Sequence, residues 1–294
     1  MAARRGSALS GALAVVGDLV EDVVVWLEGP VERGTDTPAR VFRSRGGSAA
    51  NVAVAAAAPV PTRFLGCVGE DALGDALIRG LAGAGVDVRV QRRGRTGSVV
   101  VLVDVDGERT FLPDRAAAAE LAPVQAADLA GVAVLHVPAY GLHGGPTATT
   151  VRQLLASGVP VSLDASSVAV LRAIGDLREL VERVRPVVLF ANADEAALLE
   201  VVRRPLPCTV VVKDGAHPTT VLRPGAAPQV VDVEPVTGVR DSTGAGDAFA
   251  AGWLSARMDG LDDRGRVLRA HALARQVLAR PGAGASFSPS QEHP

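Results

Sequence analysis

Aromatic side chains are scarce in this chain of 294 residues, at 3% of the total. Ala, Val and Leu must therefore fill any core, and a hydrophobic content of 48% is enough to build one. Cysteine is nearly absent. Cys67 and Cys208 stand in apolar, strand-like runs, which suits buried thiols better than a disulfide. The five histidines are scattered, with no HExxH or paired-cysteine spacing, so no zinc motif is present. Charge of one sign is not in excess either. A formal net charge of −2 gives no reason to expect nucleic acid or an anionic membrane as partner. No apolar run approaches the length of a membrane span. Asp18, Glu21 and Asp22 interrupt the first apolar stretch, which makes it a poor signal peptide, so a cytoplasmic protein is expected.

The common phosphate-binding devices are missing as well. There is no GxxxxGK[ST], and the only lysine, Lys213, follows Val212. The VAIK, HRD and DFG motifs of protein kinases are absent, as is the GxSxG nucleophile elbow. The first strand runs into VVGDLVED, which lacks the GxGxxG of dinucleotide enzymes and argues against an oxidoreductase.

What is present alternates. Residues 12–17 read as a buried strand, 49–58 as a helix of small residues, and 63–69 as the next strand. Leu73, Leu77 and Leu81 mark a helix over 72–83 that Gly85 ends. From residue 132, strand-like runs at 132–137, 160–164, 187–191 and 208–213 alternate with helical runs at 147–157, 175–184 and 194–203. That order implies a parallel sheet covered on both faces. Two segments differ. Residues 98–112 are two β-rich runs joined at Asp106-Gly107, a hairpin signal, and residues 25–47 are extended and turn-rich. They are expected to pair into a small sheet that projects from the main domain. Ligands of parallel sheets collect at the carboxyl ends of the strands, where Gly17, Asp22, Asp164, Asn192, Glu195 and Lys213 to Gly215 fall.

The stretch DSTGAGDAFAAGW, residues 241–253, places two glycines and an alanine directly before an aspartate. Phe249, Trp253 and Ala256 recur at helical spacing after it, so Asp247 lies in the first turn of a helix. A helix entrance offers unpaired N–H donors and a partial positive charge. Small residues there let an anion reach the backbone. A lone aspartate in that position usually complements the helix dipole, but the surrounding GAG is more than a cap needs. An anion cradle beside a carboxylate suits a phosphate meeting a hydroxyl.

Taken with four other stretches, this motif resembles the ribokinase-like (PfkB) carbohydrate kinases. The others are RGGSAANVAVAAA (45–57), VGEDALGDALIRGLAGAGVDV (68–88), LFANADEAALL (189–199) and RPGAGAS (280–286). They occur in the family's order over nearly the whole chain. The resemblance implies an α/β fold, a three-layer sandwich with a central, mostly parallel sheet and a small β-sheet lid. One kinase domain would span 12–289, with lid excursions at about 25–45 and 98–112 and flexible tails at 1–11 and 288–294. The activity implied is ATP-dependent phosphorylation of a hydroxyl of a small sugar, with Mg2+ bridging the nucleotide phosphates and K+ as a further cofactor. Asp247 would be the general base, and the N–H groups of Gly244, Ala245 and Gly246 would stabilise the transferring phosphoryl group. Asp22, Gly46, Gly47 and Asn51 would contact the sugar. Asn192 and Glu195 would lie near the magnesium, mostly through water. Asn192, Lys213, Asp214, Gly215, Thr243, Gly244, Gly246 and His271 would serve the nucleotide. Asp241, with the loop near Ala283 and Ser286, would hold the monovalent cation. Family lids pair between subunits, which implies a homodimer.

The departures fall on the substrate side. Ser48 and Ala49 stand where the family often has Lys or Gly, Ala118 replaces a common asparagine, and residues 137–142 carry no carboxylate. Arg109 and Arg115 flank the lid and suit either an acidic sugar, a sugar phosphate or a solvated surface. Ribose, fructose, a 2-keto-3-deoxy sugar acid and a nucleoside therefore stay open as acceptors, with ribose the modest favourite. The alternative in another class is a sugar- or nucleotide-binding regulator that has lost catalysis.

Overall fold

The structure, a computed structural model, describes residues 8–237 and 242–279. Asp241, Ala283 and Ser286 lie outside the described residues.

In chain order the strands are β1 (Ala12–Val16), β2 (Val20–Leu27), β3 (Ala39–Gly46), β4 (Thr62–Val68), β5 (Asp87–Arg92), β6 (Ser98–Val103), β7 (Arg109–Asp114), β8 (Val132–Pro138), β9 (Val161–Asp164), β10 (Val188–Asn192), β11 (Thr209–Asp214), β12 (His217–Leu222) and β13 (Gln229–Val231). The helices are α1 (Ser48–Ala57), α2 (Ala72–Gly83), α3 (Gly145–Leu154), α4 (Val168–Ile174), α5 (Leu177–Val184), α6 (Ala193–Leu198), α7 (Ala245–Met258) and α8 (Asp263–Leu278).

Nine strands form one sheet in the order β13-β12-β11-β10-β9-β8-β1-β4-β5. From β11 to β5 every neighbouring pair is parallel, while β12 and β13 are antiparallel. Strand alternation sorts its apolar residues onto two faces. Leu13 and Val15 of β1 join a core with α1, α2, α7 and α8, while Ala14 and Val16 join a second core with α3 to α6. The result is a three-layer α/β sandwich. One aromatic cluster lies beneath α7, where Phe190 meets Trp253 edge-on at 5.5 Å and Phe249 at 6.3 Å.

The remaining four strands form a separate sheet, β3-β2-β6-β7. Asp22 lies within it, in β2, paired with Ser44 and Val99, and so belongs to a strand and not to a connecting loop. The β6–β7 hairpin turns at Asp106-Gly107, with Gly107 at φ 84°.

Local backbone chemistry explains where periodicity misplaces elements. The run at 175–184 is a single helix, α5, and a further short helix, α4, precedes it and ends at Gly175, at φ 74°. The run at 194–203 stops at Leu198, and Glu200 takes a left-handed φ of 50°. β5, β12 and β13 alternate too weakly to stand out in the sequence. No helix among the described residues is long and apolar enough to cross a membrane.

Candidate active site

The carboxyl ends of β9, β10 and β11 converge on the entrance of α7. Gly244 caps that helix at φ 79° and ψ −3°, a left-handed conformation that glycine adopts without strain. Asp247 occupies its first turn. Ser48 Oγ donates to Asp247 Oδ1 at 2.6 Å, and Asn51 Nδ2 donates to Oδ2 at 3.0 Å. Both donors sit at the start of α1, which packs along α7. Asp247 is half-buried by surface area but closely surrounded by protein, and burial pushes its pKa up. The bonds from Ser48 and Asn51 work against that rise, as does Lys213, whereas Asp164 adds to it. The N–H of Ala245 already donates to Ser242 O at 3.1 Å. The cradle is thereby left to the first-turn N–H groups beside it, which have no partner one turn back.

Lys213, near the end of β11, donates to Asp164 Oδ2 at 3.0 Å. Its ammonium lies close under Gly246, where an added Cβ would stand 3.4 Å from Nζ. Burial disfavours the ammonium, but the Asp164 charge and hydrogen bond, with Glu195 and Asp247, outweigh it and hold the Lys213 pKa above its usual value. A fixed positive charge thus reinforces the positive end of α7.

Asn192 and Glu195 form a closed capping box at the start of α6. Asn192 N and Nδ2 donate to the two Glu195 oxygens at 2.8 and 2.9 Å, and Glu195 N donates to Asn192 Oδ1 at 2.8 Å. Glu195 is 2% exposed, and burial raises its pKa. Its oxygens are spent on the box, and no cluster of three His, Cys, Asp or Glu able to hold a metal occurs among the described residues. A cation that arrives with phosphates fits this carboxyl only at one remove, through water.

On the opposite side, β3 delivers Gly46 and Gly47 against β2. An added Cβ on Gly46 would stand 2.0 Å from the Asp22 carboxylate, so glycine is required for that side chain to lie where it does. Arg45 Nη2 donates to Asn51 Oδ1 at 3.0 Å. Arg109, which opens β7, donates from Nη1 to Thr243 Oγ1 at 2.6 Å and so joins the small sheet to the loop before α7. Arg115 is committed elsewhere, with two bonds to Asp18 at 2.8 and 2.7 Å and one to His143 O.

The structure therefore brings together Asp22, Gly46, Gly47, Asn51, Asn192, Glu195, Lys213, Thr243, Gly244, Ala245, Gly246 and Asp247. Asp214 ends β11 and Gly215 opens the turn to β12, both exposed. His271 lies on α8, half-buried, bonded through Nε2 to Thr219 Oγ1 at 2.9 Å and edge-on to Phe249. Sequence reasoning does not find Arg45, the Ser48 contact or the Asp164–Lys213 pair. Arg45 and Ser48 flank the glycines of a recognisable motif; the partner of Arg45, Asn51, lies in that motif, but the partner of Ser48 lies 199 residues away.

A parallel sheet that presents a carboxylate, a lysine and a helix entrance at one rim has the architecture of a phosphoryl-transfer enzyme. Residues 11–291 match the model of the pfkB family carbohydrate kinases, and the chain belongs to that family. It is an ATP-dependent phosphotransferase acting on a sugar hydroxyl. It is 33% identical over 259 residues to an ATP-dependent ribose-1-phosphate kinase of Halopiger xanaduensis, covering 82% of each chain. It is 29% identical over 272 residues to a fructokinase of Klebsiella pneumoniae, covering 84% of each. Among solved structures, adenosine kinase from Sinorhizobium meliloti superposes with a TM-score of 0.83 at 21% identity, covering 93% of this chain and 95% of that one. Ribokinase from Thermotoga maritima does so with a TM-score of 0.79 at 21% identity, covering 93% and 94%.

Proposed function

We propose that Asp247 is the general base of this kinase and that a ribosyl sugar is its acceptor. The observation that carries the reading is the placement of Asp247 in the first turn of α7, held by Ser48 and Asn51 at the positive end of that helix. Asp247 Oδ accepts the proton of the attacking hydroxyl, a role that contributes about 10²–10⁴-fold. The N–H groups of Gly244 and Gly246 and the Lys213 ammonium meet the charge on the transferring phosphoryl group, while the Ala245 N–H stays on Ser242 O. Positioning and charge stabilisation are most of what such a transfer asks of a protein. Asp22 and Asn51, with the backbone at Gly46 and Gly47, bind acceptor hydroxyls. Lys213, Asp214, Gly215, Thr243 and His271 face the nucleotide.

Magnesium, when bound with ATP, neutralises phosphate charge. Asn192 and Glu195 would hold it through water, their own bonds to each other leaving no direct ligand. Potassium is a further cofactor of this reading, with Asp241, Ala283 and Ser286, outside the described residues, as its candidate ligands. The small sheet closes over the acceptor and excludes water. Its exposed Val41, Phe42, Phe111 and Leu112 pair with a second copy of the chain.

The 33% identity to a ribose-1-phosphate kinase supports a ribosyl acceptor. An ADP-release assay tests it, with magnesium and potassium, across ribose, ribose 1-phosphate, fructose, keto-deoxy sugar acids and nucleosides. Release with ribose or ribose 1-phosphate is the expected result; release confined to another class rejects the ribosyl acceptor. Silence across the panel with ATP still bound points to the binding-protein alternative.

A further inference from the structure

Arg45 stands where β3 returns from the small sheet to the main domain, one residue before Gly46. Its Nη2 donates to Asn51 Oδ1, and Asn51 Nδ2 donates to Asp247 Oδ2, each at 3.0 Å. The two ends of a side-chain amide have nearly the same shape, so its partners decide which end faces which. A guanidinium only donates and a carboxylate only accepts. With Asn51 turned over, its oxygen would face the carboxylate and its NH2 would face Arg45, which breaks both bonds. Arg45 and Asp247 thus admit one orientation of Asn51 between them.

The guanidinium is also held in an unusual setting. It is half-buried, its Nε is buried with no hydrogen-bond partner, and burial lowers its pKa against the pull of Asp247 and Asp22. Such a group is retained at a cost in stability. Orientation of Asn51 is a role that offsets it.

We propose that Arg45 is a positioning residue for phosphoryl transfer, which fixes the Asn51 amide so that it donates to Asp247. The proposal rests on the reading of Asp247 as general base. Ser48 holds one carboxylate oxygen, and the Arg45–Asn51 relay holds the other. Because Arg45 rides on the small sheet, that sheet and the base share one hydrogen-bonded chain. The titratable groups around Asp247 are Asp164 and Lys213 on the main sheet, Arg45 on the small one, which itself faces Asp22, and Tyr140 from the turn after β8.

The test is a double-mutant cycle with Arg45→Gln, Asn51→Ala and the pair, using ATP and whichever of ribose or ribose 1-phosphate gives ADP release. At saturating acceptor, Arg45→Gln lowers kcat roughly tenfold, leaves the KM for ATP unchanged and moves the acid limb of kcat to higher pH. In the Asn51→Ala background the same change does nothing more, because the relay is already broken. Arg45→Lys, which keeps the charge and a donor, recovers part of kcat and serves if the glutamine variant does not fold. Multiplicative losses in the pair overturn the proposal. So does a rise in acceptor KM at constant kcat, which would make Arg45 a binding residue. A crystal structure of Arg45→Gln adds a readout apart from activity: an Asn51–Asp247 bond unchanged in length and occupancy counts against the relay. Asp247→Asn separates the two readings. If that variant stays active, the general base is wrong; if it is inactive while Arg45→Gln is unimpaired, only the relay is wrong.

Discussion

Ser48 and Asp247 lie 199 positions apart in the chain, yet the Ser48 hydroxyl donates to the Asp247 carboxylate at 2.6 Å. The bond joins the entrances of α1 and α7, the two helices that carry the family's glycine motifs. Ser48 is also a position at which the chain departs from the common family pattern. Whatever this departure does to acceptor choice, its hydroxyl bond favours the ionised form of Asp247 against burial.

Burial raises the Asp247 pKa, and the Ser48 bond opposes the rise. A hydrogen bond to a charged group is worth about 1.5–3 kcal/mol, or roughly one pKa unit or more. Ser48→Ala should therefore move the acid limb of kcat/KM upward by about one pH unit, with little change on the alkaline side. A pH–rate profile of the two proteins checks this. An unmoved limb would mean that Ser48 does not touch the ionised base.

Asp247→Asn should separate activity from stability. Loss of the base should lower kcat by about 10²–10⁴-fold. The native pKa of Asp247 lies above its ordinary value of 3.8. Between the two values the folded protein binds more protons than the unfolded chain, so stability declines as pH rises through that window. At neutral pH the full penalty is present, and the neutral amide removes it. The amide also forfeits one of the two bonds, because its NH2 meets the Asn51 NH2, so the slope and not the absolute stability is the readout: the variant should lose less stability than the parent as pH rises from acid to neutral. Parallel slopes in the two proteins would contradict the burial argument.

Lys213 and Asp164 form a mostly shielded pair, with side chains 17% and 11% exposed. Removal of one partner strands the other. Lys213→Met should destabilise the fold by about 3 kcal/mol and weaken ATP-driven turnover, and Asp164→Asn in the same protein should restore part of the stability but none of the turnover. Denaturant unfolding and steady-state kinetics on the four proteins check both halves. Equal losses of stability and activity that add without coupling would show that the pair does not act as a unit.

Much of this was legible in the sequence, and the reason is local. Strand and helix order, the Asp106-Gly107 turn and the α7 entrance are written in short windows, where periodicity and glycine placement speak directly. Asp247 stands out because its neighbours in the chain are its neighbours in space. The pairing of Asp164 with Lys213 does not, because the two lie 49 residues apart on different strands, and Arg45 gains its meaning only from the way Asn51 reaches on to Asp247, 196 residues away. The strand position of Asp22 was hidden for a similar reason: β2 pairs with β6, some eighty residues further on, and no local pattern announces that pairing. Arg115 shows the converse. Its position suited an acidic sugar, but the fold commits it to Asp18 and His143 O.

His136 provides a test of the core independent of catalysis. It is fully buried in β8, with Nδ1 2.9 Å from Ser162 Oγ and Nε2 buried without a partner. Burial lowers its pKa from 6.5 to about 4; Asp164 pulls it up and Lys213 pushes it down. Below pH 6.5 the unfolded chain takes a proton that the folded protein refuses until about pH 4. Stability is therefore intact above the upper value and declines as pH falls through the window, by about 3 kcal/mol in all. His136→Asn keeps a polar atom near Ser162 and titrates nowhere in this range. The smaller side chain lowers absolute stability, so the slope is the readout. Between pH 6.5 and 4 the variant should show a shallower decline than the parent by about one proton's worth, 1.4 kcal/mol per pH unit at most. Parallel slopes would place the acid sensitivity in other groups and mean that the His136 ring gains its proton without opening the sheet.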